Sequence, residues 1–136
     1  MKKIIIPLFV IMFFIACSEY EEESANKNDD YLTYQYEISW DANDEDGVNS
    51  FGGGYCVYYA EGYAVDINKS NYVDVPYQGG DRAPTQATIM IKLKKDENSN
   101  YKRQVTYSVV VVAYATINGT KVYSRPSKQI QITLTI

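Results

Sequence analysis

From residue 31 onward the chain alternates between apolar and polar positions, and the alternation is densest at 107–114, Tyr-Ser-Val-Val-Val-Val-Ala-Tyr. On an extended strand Tyr107, Val109, Val111 and Ala113 point to one side, and Ser108, Val110, Val112 and Tyr114 to the other. β-branched and aromatic residues fill nearly every place, which favours a strand over a helix. Apolar residues on both sides predict a central strand covered, at least partly, on both faces. Other strands are expected to pack around it. Tyr34, Tyr36, Ile38 and Trp40 alternate with Gln35, Glu37 and Ser39, and Tyr55, Val57 and Tyr59 with Cys56 and Tyr58. Ala87, Ile89, Ile91 and Leu93 alternate with Thr88, Met90 and Lys92. Residues 63–77 add one or two short strands, the clearer at 73–75. The Asn118-Gly119 pair predicts a tight hairpin, because both turn residues need positive φ. Pro126 marks a break or an edge, and Ile130, Ile132, Leu134 and Ile136 alternate in a terminal strand. Six or seven short antiparallel strands predict an all-β sandwich over residues 31–136.

The first 30 residues have a different pattern. Residues 1–16 open with Lys2 and Lys3 and then run apolar from Ile4 to Ala16, interrupted by Pro7. A basic start and an apolar run of this length read as a secretory signal, too short to span a bilayer; the alternative is a buried N-terminal helix. The junction Phe14-Ile-Ala-Cys17 resembles the lipobox of bacterial lipoproteins, with Phe14 where the family more often has Leu, Val or Ile. The resemblance implies cleavage before Cys17, acylation of Cys17 (palmitate among the chains), and a bacterial outer-membrane protein held by lipid, at the cell surface or in the periplasmic leaflet. Several acyl chains are what stable anchoring requires, since one chain holds only marginally.

Charge sharpens this division. Residues 17–30 carry six acids against Lys27, whereas residues 31–136 carry 11 acids and 10 bases. The acidic stretch reads as a disordered tether. It is either a plain spacer or, by its resemblance to acidic stretches in some surface-exported lipoproteins, a surface-export feature. No basic patch favours nucleic acid.

The sequence contains no histidine, which removes Ser-His-Asp and Cys-His catalysis and histidine-ligated zinc. No catalytic residue, cofactor motif or metal site is expected. The acids Asp41, Asp44, Glu45 and Asp46 before Gly47 miss the spacing of a calcium-binding EF-hand loop and read as a solvated loop. With Cys17 acylated, Cys56 is left as the single thiol, with no intramolecular disulfide. No nearby cation or helix end marks it as reactive, so it reads as structural. The alternation gathers Cys56, Tyr58, Val110, Val112 and Tyr114 on an outer sheet face. This is the candidate binding surface, unless Lys and Gln stems or the tether cover it.

These pieces together resemble a fibronectin type III domain, a member of the immunoglobulin-like sandwiches. Trp40 matches the family tryptophan near the end of the second strand, and 55–59 resembles the third strand. Residues 107–113 match the sixth strand, with Tyr107 at the tyrosine-corner position. Ser124-Arg-Pro-Ser127 resembles the entry to the last strand. The stretches 52–59 and 73–77 also look like fibronectin-type domains of spirochaete and related lipoproteins. Two features depart from the family: no clear first strand precedes Tyr34, and 94–106 is long, with Tyr101 near the place of a family leucine. The resemblance implies a non-enzymatic binding or adhesion module of the cell envelope. The alternative is a structural accessory subunit of an envelope complex, docking through the tyrosine and valine face.

Overall fold

A computed structural model describes residues 30–95 and 102–136. The expected signal sequence, the expected acylation of Cys17, nearly all of the expected tether and the expected role of Tyr101 lie outside the described residues. The segment 96–101 lies outside them as well.

The described chain is all β. Its strands run β1 (Tyr31–Ser39), β2 (Gly54–Glu61), β3 (Asn71–Pro76), β4 (Gln86–Lys94), β5 (Gln104–Ile117), β6 (Thr120–Tyr123) and β7 (Ile130–Thr135). They form a two-layer antiparallel sandwich. One layer is the β1–β4 pair, with Tyr31 opposite Lys94 and Ser39 opposite Gln86. The other has the order β3-β2-β5, and the far side of β5 is shared by β6 and β7. Strand β5 is central, as its two apolar faces require. Its residues 108–115 are all buried.

The layers meet through their inward residues. Ile38, Ile89, Ile91 and Leu93 pack on Tyr55, Val57, Val109, Val111 and Ala113. Trp40 lies just past the end of β1 yet stays in this core, its ring edge-on to Tyr55 at 5.3 Å. The hairpin between β5 and β6 turns at Asn118 (φ 51°) and Gly119 (φ 78°), the left-handed pair that this tight turn demands.

Between β6 and β7 the strand breaks at Pro126 without opening the ladder. Ser124 and Ser127 donate their backbone N–H groups to the carbonyls of Ala113 and Val111. Their hydroxyl oxygens accept the backbone N–H groups of Ala113 (3.0 Å) and Val111 (2.8 Å). Two side chains thus stand in for ladder carbonyls, so that buried donors of β5 keep partners.

Candidate functional site

The five residues expected on the outer face do gather there. Cys56, Tyr58, Val110, Val112 and Tyr114 form a second apolar cluster, separate from the inter-layer core. Their expected exposure is corrected by the structure. Tyr58 is 9% exposed and Val112 fully buried. The physical reason is the β2–β3 connection, residues 62–70, which folds back over the face and packs Val65 and Ile67 on it. This strap is fixed at its start, where the Gly62 N–H donates to the Thr106 carbonyl and the Ser108 hydroxyl donates to the Gly62 carbonyl. Further along, the Gln129 side-chain amide donates to the Tyr63 carbonyl. An Asx turn at Asp66 closes its tip.

Toward the other end of the face, tyrosines and a lysine do the covering. Tyr72 lies 5.5 Å from Tyr58, Tyr123 lies 6.0 Å from Tyr114, and the Lys121 ammonium stands 4.1 Å above the Tyr114 ring. The Tyr114 side chain reaches toward β3, where its hydroxyl donates to Asp74 Oδ1 at 2.8 Å. Gly54 makes room for it. A Cβ there would stand 3.0 Å from the Tyr114 hydroxyl and 2.4 Å from the Val75 carbonyl, and its φ of 151° is one that L side chains rarely adopt.

This environment suppresses ionisation. Burial, then Asp74, pushes the Cys56 thiol up; its sulfur lies 3.8 Å from Asp74 Oδ1. Burial, then Cys56, pushes the Tyr58 phenol up to about 12. Tyr114 is raised by burial and by its bond to Asp74. A thiol held protonated is a poor nucleophile, so Cys56 belongs to the packing. Sequence reasoning missed Asp74, Tyr72, Lys121 and Tyr123, whose places on this face depend on strand register.

A different surface stands open at one end of the sandwich, where residues 41–53, 77–85 and 117–120 converge. The first of these is more folded than the solvated loop its composition predicts. Val48 is fully buried, and a Cβ on Gly47 would come within 2.9 Å of Ala115 Cβ. The Asn43 N–H donates to the Tyr55 phenol oxygen at 2.7 Å, and the Asn49 amide donates to the carbonyls of Asn43 and Glu45. The loop is then tied to both neighbours. The Ala83 N–H donates to Asn49 Oδ1 and the Tyr77 N–H to the Gly53 carbonyl; the Thr116 hydroxyl donates to the Gly52 carbonyl. Arg82 pairs with Asp44 at 2.7 Å across exposed side chains.

On this fixed base Phe51 is 82% exposed, its ring edge-on to Tyr77 at 5.3 Å. The signal for Phe51 was present in the sequence as a lone aromatic inside a loop of Asp, Asn, Ser and Gly, outside any strand alternation. No group of three or more acids and cysteines that could hold a metal ion occurs among the described residues. Comparison with protein-family models, curated proteins and solved structures found no match to this chain.

Proposed function

We propose that the chain is a non-enzymatic, lipid-anchored binding module of a bacterial envelope, a fibronectin-type sandwich that engages a protein or matrix ligand through its loop end. One observation carries the reading: Phe51 projects into solvent from a loop that internal hydrogen bonds hold in one shape. An exposed aromatic on a preorganised base loses little conformational entropy on docking, which is how aromatic anchors come to dominate interfaces. The rim of Asp44, Glu45, Asp46, Asp81 and Arg82 is mainly acidic, and a basic border around the ligand's apolar socket would complement it. The anchor at Cys17 rests on the leader and lipobox resemblance. The accessory-subunit reading loses its docking face, because the tyrosine and valine cluster is buried.

The test places a photo-cross-linking phenylalanine analogue at position 51 in the full chain, expressed in its own cells, with the same analogue at exposed Met90 as the comparison. A discrete adduct from position 51, absent from position 90 and lost on Tyr77→Ala, is expected. Equal adducts from both positions would overturn the loop-end reading.

A further inference from the structure

The five-stranded sheet has two outer edges, and they are protected unequally. One edge is β3, which carries Asp74 and Pro76. The other runs along β6, the serine-bridged break and β7. Its first part carries Lys121, Arg125, Pro126 and Lys128, while Gln129-Ile-Gln-Ile-Thr-Leu-Thr-Ile136 has no charged side chain and no proline. Charges and prolines are what sheet edges use to refuse a further strand. Only β7 lacks them.

The register fixes which backbone groups are available. Ile136 and Arg103 exchange both of their N–H···O bonds. In an antiparallel ladder such pairs alternate, so Leu134, Ile132 and Ile130 also turn their backbone groups toward β5. Gln131, Thr133 and Thr135 therefore turn theirs outward, and their side chains are exposed. Among the described residues β7 pairs with β5 alone.

We infer that β7 is a homotypic docking edge, where two copies of this chain pair β7 to β7 antiparallel about a two-fold axis at Thr133. A two-fold axis there sets Thr133 opposite its own copy and Gln131 opposite Thr135 of the second copy. All three are outward-facing positions, so the hydrogen-bonding groups match without a shift. The paired side chains are polar and uncharged. Self-pairing thus brings no like charges together, and threonine pairs across strands are favourable. On the inner face the half-buried rims Ile130 and Ile136 would gain cover from the second copy. A second copy fits better than an unrelated strand because the edge is complementary to itself in register, polarity and charge.

Two tests use the full chain in membranes. With Thr133→Cys, the two sulfurs meet at the axis, where paired strands bring Cα atoms to about 5.5 Å, within disulfide reach. Mild oxidation should yield a covalent dimer that the parent chain, with Cys56 buried, does not form. In the second test, differently tagged copies are co-expressed and co-captured. Thr133→Lys in both copies should lower co-capture at least about tenfold through like-charge repulsion. Thr133→Lys in one copy with Thr133→Asp in the other should restore it. Each variant should keep the Trp40 fluorescence of the parent, since position 133 is exposed and its N–H has no partner among the described residues. Equal co-capture in every combination, or no co-capture of the parent, would overturn the pairing.

Discussion

Residue parity was legible in the sequence wherever a strand was long. The alternation placed Tyr55 and Val57 in one cluster and Cys56, Tyr58, Val110, Val112 and Tyr114 in another, as the structure does. Parity cannot say what covers a face, however. The bond from Tyr114 to Asp74 joins residues 40 apart in sequence, and nothing local to either announces it. The consequence of this packing is alkaline sensitivity. Tyr58 is raised to about 12 by burial, and Tyr114 is raised in the same direction. An unfolded tyrosine titrates near 10. The folded chain therefore keeps protons that the unfolded chain releases, so the tyrosine contribution is intact below about pH 10 and falls as pH rises toward 12. Cys56, also raised, adds to the loss in the same direction. Unfolding on an alkaline titration should coincide with a cooperative rise in phenolate absorbance, and Tyr58→Phe should make the fall shallower. Independent titration of every tyrosine near its unfolded value, with the fold intact, would show that the cluster is not closed.

At the scale of elements, six strands were legible because period-two alternation survives wherever one face is buried, and β6, exposed along its whole length, was legible through the Asn118-Gly119 turn before it. The connections were harder to read. Residues 62–70 place only Val65 and Ile67 on the cluster they cover, too few to create a recognisable period. The strap's light hold predicts local opening below the cost of global unfolding. Ile67→Ser should speed alkylation of Cys56 by roughly 5- to 10-fold through lost apolar cover, with little change in the urea midpoint. Unchanged labelling would mean that Cys56 reacts only from the globally unfolded chain. The serine-bridged break behaves differently, because its bonds serve buried groups. Ser127→Ala removes the hydroxyl that accepts the Val111 N–H and leaves that donor orphaned, at a cost of about 1–3 kcal/mol. Urea unfolding of the variant would measure it, and a loss below about 0.5 kcal/mol would mean that another acceptor takes over. Pro126 announced the break in the sequence. The role of the hydroxyls was hidden, since Ser-Arg-Pro-Ser reads equally well as an open loop.

At the scale of the molecule, the two layers and the central place of β5 followed from one rule, that a strand apolar on both sides must be covered on both. The loop end was not legible, because Asp- and Asn-rich composition describes solvation, whereas Asn43 and Asn49 use their side chains to build a fixed shape. The remaining question is which way the domain faces. On the proposed reading it is carried from Cys17 by an acidic stretch whose one basic residue is Lys27. Lys27 is then the first trypsin site after the anchor, ahead of every lysine and arginine of the domain. Trypsin applied to intact cells should release a fragment beginning at Asn28 and empty the membrane pellet of the domain. That outcome places the loop end outside the cell, where Phe51 meets matrix or host proteins. Retention until the outer membrane is permeabilised would place the domain in the periplasm; the adhesion reading would then fall, and the ligand of the loop end would have to be another envelope protein.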